Sequence, residues 1–129
     1  RKGRIRLPLD RSFSLKKNKE FNRVYRRGKS VGARGVALVY CTARHSSVRV
    51  GFAVGKKVGK AVVRNKVKRR MREAFARQLP YVKTGYDLIF IARSEAKDES
   101  FASLLRTITY LLKKAGLYDF AQSAAAEKE

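Results

Sequence analysis

The sequence predicts an α+β fold, in which helices cover one β-sheet. Three observations support this prediction: apolar residues at helical spacing near the start, strand-like runs in the middle, and an amphipathic segment near the end. The expected order is helix, two or three strands, helix, strand, helix. Because 129 residues suffice for one modest core but not for two, we expect one domain over residues 14–118. A flexible basic arm, residues 1–13, is expected before it, and a tail, residues 119–129, after it.

A first helix is expected over residues 18–27, because its apolar positions fall three and four residues apart. We expect Asn18 to cap the N-terminus, since a side-chain oxygen there accepts a hydrogen bond from a free backbone amide. Gly28 offers a left-handed conformation that would end the helix. The apolar positions are Phe21, Val24 and Tyr25.

Two strands are expected next, because residues 36–42 form an apolar run and residues 49–54 alternate in character. The polar loop between them contains His45, which we expect at the surface. A short strand near residues 29–33 can precede them. Cys41, the only cysteine, is expected to be a small strand residue and not a reactive thiol.

The alternation in residues 49–54 gives this strand one bulky face and one bare face. The bulky face is expected to form the core with the last helix. The bare face leaves two interpretations open: an extended ligand lies close to the backbone there, or a helix packs tightly against it. The bulky residues are Val50, Phe52 and Val54, and the bare face carries Arg49, Gly51, Ala53 and Gly55.

The second half of the chain is expected to contain two helices and one strand. A glycine-containing loop, residues 55–59, leads into a long helix over residues 61–78. A strongly apolar strand is expected over residues 86–92. The last helix, residues 100–115, has leucine and isoleucine on its buried side and is expected to end at Gly116.

The chain has a formal net charge of +22, and its basic residues are concentrated. No Asp or Glu lies between Glu20 and Glu73, whereas that interval contains sixteen Lys or Arg. Such charge indicates a polyanionic partner, with nucleic acid favoured over a small acidic substrate and an anionic membrane as the competing surface. No apolar run approaches the roughly 18 to 20 residues that span a bilayer, and no secretory signal is seen. A soluble, cytoplasmic protein with no membrane association is therefore expected.

The long helix is expected to present an apolar stripe to the core and a basic stripe to water. Guanidinium groups suit forked contacts with phosphate, and asparagine suits a ribose or a base edge. The alternative is a solvated basic face without a specific partner, but the absence of neighbouring acids favours nucleic-acid contact. The apolar stripe is Val63, Val67, Met71, Ala74 and Phe75; the basic stripe is Asn65, Lys68, Arg69 and Arg72, with Arg64 one turn before Lys68.

Phe21 and Tyr25 lie one turn apart on the first helix. Both can be ordinary core residues. They can also line a groove, because aromatic faces beside a basic track stack unpaired bases in many proteins that bind single strands.

Catalysis by protein side chains is not expected. The basic interval has no carboxylates for a metal-dependent nuclease, and one histidine is too few for an acid-base ribonuclease. One cysteine and one histidine are also too few for a structural zinc site. The loop at residues 55–60 lacks the spacing and the Ser or Thr of a phosphate-binding loop.

Residues 50–75, with their glycine-lysine loop and Arg-Asn helix, closely resemble the signature of the bacterial ribonuclease P protein subunit. The R-N-x-x-K-R-x-x-R core of that signature is matched in full by Arg64, Asn65, Lys68, Arg69 and Arg72. The resemblance continues through the aromatic helix upstream and the apolar strand at residues 86–93, and it spans roughly residues 12–118.

The resemblance implies an α-β-β-β-α-β-α sandwich with a left-handed βαβ crossover, similar to a domain of a ribosomal small-subunit protein. It also implies a role as the protein subunit of a ribonucleoprotein endonuclease that removes the 5′ leader of precursor tRNA. The RNA subunit performs the hydrolysis with Mg²⁺, which is held mainly by the RNA and the substrate. The implied partners are therefore the catalytic RNA and precursor tRNA.

The resemblance also assigns residues to two RNA-binding regions. Phe21, Tyr25, Val39 and Ala53 would belong to a cleft that holds the single-stranded leader. Val39 replaces an aromatic residue of some relatives, and Tyr40, one residue later, is expected to face the core. The RNA-facing residues would be Lys56, Lys57, Lys60, Arg64, Asn65, Lys66, Lys68, Arg69 and Arg72. Two rival hypotheses are a ribosomal or RNA-chaperone protein with no role in cleavage, and a protein that is itself a nuclease.

Overall fold

The computed structural model describes residues 11–119 of the chain. Within this range a 3-10 turn at Arg11–Phe13 is followed by helices and strands in the predicted order. The parts of the predicted arm and tail that precede residue 11 and follow residue 119 lie outside the described residues. The helices are α1 (Asn18–Arg27), α2 (Ala61–Gln78) and α3 (Phe101–Lys114), and the strands are β1 (Lys29–Gly32), β2 (Val36–Thr42), β3 (Val48–Val54) and β4 (Tyr86–Ala92).

The four strands form one sheet in the order β1-β2-β4-β3. β2 pairs antiparallel with β1 and with β4, whereas β3 and β4 run parallel. Because parallel strands need a long crossover connection, α2 fits between β3 and β4 in the chain. The α+β fold expected from the sequence is confirmed.

The two faces of the sheet are covered differently. α2 and α3 pack against one face and form the main core, whereas α1 covers part of the other face. The apolar stripe predicted for α2 is confirmed, and β3 contributes its bulky residues to the same core. Buried residues of this core include Val67, Met71, Ala74 and Phe75 from α2, Val50 and Phe52 from β3, and Leu104, Ile108, Leu111 and Leu112 from α3.

The N-terminus of α1 is capped differently from the prediction. Asn18, expected as the cap, is the first helical residue. A carboxylate provides the cap instead: Oε1 of Glu20 accepts the backbone N–H groups of Lys16 at 2.8 Å and Lys17 at 3.0 Å. A glutamate near the start of a helix satisfies free amides and also interacts favourably with the helix dipole.

Gly28 ends α1 for a steric reason and not by a left-handed conformation. Its φ of −80° and ψ of 157° are extended, so the predicted left-handed stop is wrong. A Cβ atom at this position would lie 2.5 Å from the carbonyl oxygen of Val24 and 2.7 Å from Cγ1 of Val39. Gly116, by contrast, has a φ of 78° after α3, so the predicted closing glycine is confirmed there.

Ordered structure begins earlier than the sequence indicated. Residues 11–13, expected to belong to a flexible arm, form the 3-10 turn, and Phe13 packs against the main core. Ser14 then pairs with Val50 in a short parallel bridge. β3 also begins at Val48, one residue before the predicted start.

Candidate nucleic-acid interface

The basic stripe of α2 faces solvent, as its spacing predicts. Its side chains have no ion-pair partner within residues 11–119, so their charge is available to a ligand. Arg72 additionally lies over the ring of Phe52, with its Cζ atom 5.9 Å from the ring centroid. The exposed residues of this surface, which we call the α2 basic face, are Asn65, Lys66, Lys68, Arg69 and Arg72.

Arg64 differs from the rest of the signature because it is partly buried. Its Nε atom is shielded from solvent and has no hydrogen-bond partner in the described part of the chain. A buried donor without a partner is unfavourable.

The loop between β3 and α2 presents three lysines. Lys56, Lys57 and Lys60 are exposed, while Val58 is buried between them and anchors the loop to the main core. Gly59 has a φ of 153°, within the range that favours glycine, and a Cβ there would lie 3.0 Å from Cγ1 of Val63. The loop therefore turns sharply and keeps its lysines outside.

α1 crosses the face of the sheet to which the bare side of β3 belongs, and Phe21 packs tightly against that strand. The ring of Phe21 sits over Gly51, where a Cβ atom would lie 2.5 Å from Cε2 of that ring. Phe21 is partly buried in the smaller apolar cluster beneath α1. The interpretation in which a helix packs against the bare face is therefore correct at Gly51.

Further along the same face, α1 leaves the sheet partly uncovered. Ala53, Val39 and Ile91 are only partly buried. Tyr25 projects from α1 with 44% of its surface exposed, so it is not an ordinary core residue. We call the partly uncovered surface that these residues and Phe21 form beside α1 the cleft.

Neighbouring residues of β2 face opposite sides of the sheet. Val39 packs in the cluster beneath α1, whereas Tyr40 packs against the main core. The expected orientation of Tyr40 is confirmed. Among the residues of the cluster beneath α1, Val39 is therefore the aliphatic side chain that β2 contributes.

A buried ionic network, which the sequence did not reveal, fixes α1 against the sheet. Asp87 of β4 is fully buried, and its carboxylate accepts from Arg49 of β3 and Arg23 of α1. Arg49 also donates through Nη1 to Oε2 of Glu20 at 3.0 Å. Burial raises the pKa of Asp87, but hydrogen bonds from Arg49 and His45 and their charges outweigh it, so the pKa lies below its ordinary value.

His45, expected at the surface, is partly exposed, but it also belongs to this network, which the sequence did not indicate. Its Nε2 atom lies 2.7 Å from Oδ1 of Asp87, and its Nδ1 atom accepts the backbone N–H of Ser47 at 3.2 Å. The residue is partly buried. Asp87 lies inside an otherwise apolar strand, and this position could have indicated the network from the sequence, because a buried carboxylate needs partners.

The described residues show neither a metal site nor a membrane span. Within residues 11–119, no group of three or more His, Cys, Asp or Glu side chains is placed to hold a metal ion. None of the helices in this range combines the length and apolar character needed to cross a bilayer. Cys41 is a buried strand residue, and burial raises the pKa of its thiol.

The fold and its surfaces define a class: an α+β protein with an exposed basic helix and, beside another helix, a partly uncovered sheet surface. The family model for ribonuclease P matches residues 9–116, and the chain belongs to the ribonuclease P protein family. The predicted family is confirmed.

Individual relatives agree with this assignment. A ribonuclease P protein component from Clostridium botulinum strain 657 is 47% identical over 106 residues, which cover 81% of this chain and 96% of the relative. The solved structure of the Staphylococcus aureus RNase P protein matches with a TM-score of 0.77 and 36% identity, over 82% of this chain and 97% of that one. The Thermotoga maritima RNase P protein matches with a TM-score of 0.72 and 28% identity, over 78% and 96%.

Proposed function

We propose that this chain is the protein component of ribonuclease P and binds both the catalytic RNA and the single-stranded 5′ leader of precursor tRNA. Membership of the family supports the first part. One observation carries the second: Tyr25 is 44% exposed on α1, and Val39, Ala53 and Ile91 of the sheet face beside it are only partly buried.

The cleft suits an unpaired strand for two physical reasons. Exposed aromatic rings stack bases with little regard to sequence, which fits the variable leaders of many tRNAs. The small side chain of Ala53 on the floor lets a ribose-phosphate backbone approach β3. β3 continues into the loop that carries Lys56 and Lys57. An RNA leader that leaves the cleft at this end would therefore meet two lysines.

The α2 basic face and Arg64 are assigned to the catalytic RNA near the cleavage site. Arginine donates in a fork that matches phosphate oxygens. These contacts neutralise phosphates that would otherwise repel one another when leader and RNA subunit approach.

The chemistry itself is assigned to the RNA subunit. Water attacks the phosphorus at the leader junction, the bond to the leader 3′ oxygen breaks, and the mature tRNA retains a 5′ phosphate. Mg²⁺, held by the RNA and the substrate, would supply charge stabilisation and an activated water. The protein contributes position and charge, and the reaction is placed in the cytoplasm.

Comparison of two substrates tests this proposal. The complex of the chain with the RNA subunit is expected to bind precursor tRNA with a leader of several nucleotides more tightly than precursor tRNA without a leader. The preference should vanish when the RNA subunit is assayed alone. A ribosomal or RNA-chaperone protein would increase both affinities equally, and that result would contradict the proposal.

A further inference from the structure

A basic pocket lies on the side of α1 that faces away from the cleft. Residues two apart on a helix are separated by about 200°, so Arg23 and Arg27 point away from the side that carries Phe21 and Tyr25. The open pocket has a volume of about 300 Å³. It is lined by Arg23, Arg27, Ala43, Arg44, His45 and Arg49.

One half of this pocket is held in place by the buried carboxylate. Arg23 donates to Oδ2 of Asp87 at 3.2 Å and to the carbonyl oxygen of Thr42 at 3.2 Å. Arg49 donates to Asp87 and to Glu20 through all three of its nitrogens. A guanidinium has five N–H groups, so each arginine retains donors that these bonds do not use.

The other half of the pocket has cations without a partner. Within residues 11–119, Arg27 and Arg44 are exposed, and their side chains make neither a hydrogen bond nor an ion pair. The two carboxylates of the network formally balance Arg23 and Arg49. The arginines of the pocket therefore carry an excess of two positive charges that no group in the described chain neutralises, whatever the charge of His45.

The loop that carries Arg44 is well fixed. Both ring nitrogens of His45 are engaged, and Gly85 tethers the loop through two backbone bonds. Its carbonyl oxygen accepts the N–H of Ala43 at 2.8 Å, and its N–H donates to the carbonyl oxygen of Ser47 at 2.6 Å. Arg44 thus projects from a backbone that does not need to be ordered when a ligand binds.

We infer that this pocket, which we call the α1 rear pocket, binds one phosphodiester group of RNA. This inference rests on the proposed function and extends it, because the pocket is separate from the leader cleft and from the α2 basic face. Arginines from α1, β3 and the loop before β3 converge there, and arginine is the residue suited to forked phosphate contacts. α1 would then lie between two RNA segments, the leader on one side and a second strand on the other.

The double variant Arg27→Gln, Arg44→Gln tests the inference, because it removes both unpartnered charges and leaves the Asp87 network intact. Two equilibria are measured over a salt series: binding of the chain to the RNA subunit, and binding of precursor tRNA to the assembled complex. We expect one of them to weaken about five- to tenfold near 0.1 M salt and its salt slope to fall by about one unit.

The position of the effect identifies the source of the phosphate. If the variant binds the RNA subunit more weakly, the phosphate belongs to the RNA subunit. If the assembled complex binds precursor tRNA more weakly, and equally so with and without a leader, the phosphate belongs to the body of the tRNA. Either result supports the inference.

The matched control removes the same charge from a distant surface. Lys97 and Arg106 are both exposed, so Lys97→Gln, Arg106→Gln should leave both equilibria nearly unchanged. The inference is overturned if the test variant behaves like this control, or if only the leader preference falls. If the complex of the unmodified chain shows no preference for leader-containing precursor, that result contradicts the proposed function and not this inference.

Discussion

Arg49 binds both carboxylate oxygens of Asp87, with its Nε atom 3.1 Å from Oδ1 and its Nη2 atom 3.0 Å from Oδ2. The two residues are register partners on the parallel strands β3 and β4. Because Arg49 also binds Glu20, and Arg23 binds Asp87, the pair connects the sheet to α1. The position of α1, and with it the width of the cleft, depends on this connection.

Asp87→Asn should lower the free energy of unfolding by about 3 kcal/mol, because it leaves two arginines beside a buried site without a carboxylate. The estimate is at the low end for a broken buried pair, since both arginines are partly exposed. Urea denaturation measures it. Asp98→Asn, at an exposed acid, serves as control and should change stability by less than about 0.5 kcal/mol.

The Asp87 carboxylate should also make the free energy of unfolding depend on pH in the acid range. The pKa of Asp87 lies below its ordinary value of 3.8, so protonation favours the unfolded chain. Its contribution should be complete above about pH 5 and should be lost as the pH falls through the folded pKa. The stability difference between the unmodified chain and Asp87→Asn should therefore shrink below pH 3.8. A difference that stays constant from pH 7 to about pH 2.5 would contradict this.

Gly51→Ala should move Phe21, because the new methyl group would occupy the position of the ring. We expect a loss of about 1–3 kcal/mol in the free energy of unfolding, typical of an overpacked site, together with weaker leader binding as the ring shifts into the cleft. Gly55→Ala is the stability control, since its φ is −85° and nothing lies within 4 Å of the added Cβ. Equal stability of the two variants would show that Phe21 does not pack as described.

Tyr25→Ala should weaken binding of leader-containing precursor tRNA without greatly changing stability. Loss of a stacked base costs about 1–3 kcal/mol, or roughly 5- to 150-fold in affinity, with little change in salt dependence. Tyr110→Ala provides a close control, because that tyrosine is 50% exposed on α3 and Tyr25 is 44% exposed on α1. A similar effect of the two substitutions would remove Tyr25 from the leader site.

Arg69→Gln should act through charge and not through stacking. Removing one phosphate contact should reduce by about one unit the slope of log affinity against log salt for binding of the chain to the RNA subunit. Arg106→Gln removes an exposed charge from α3 and should leave the slope unchanged. An effect of Arg69→Gln restricted to leader-containing substrate would contradict its assignment to the α2 basic face.

The local elements were predictable from the sequence because their signals are local. The bounds of α1, α2, β2 and β4 agree with the prediction, since apolar periodicity and flanking polar segments specify each of them. The exposed stripe of α2 was predictable for the same reason. The assignments of Phe21, Tyr25, Val39 and Ala53 to leader binding, and of the basic residues to RNA, remain predictions.

The features that the sequence did not reveal depend on tertiary packing. His45 and Asp87 lie 42 residues apart and meet only because β2, β3 and β4 pair in a particular register. The extended conformation of Gly28 likewise reflects the closeness of Val39 on another strand, which no local pattern shows. The α1 rear pocket arises from the same long-range contacts.

Cleavage of precursor tRNA at low Mg²⁺, measured with the RNA subunit in the presence and absence of the chain, tests the central claim most directly. We predict that the chain increases the cleavage rate for leader-containing precursor and that the chain alone cleaves nothing. Absence of stimulation would contradict its assignment as the protein component of ribonuclease P. Cleavage by the chain alone would contradict the assignment of the chemistry to the RNA.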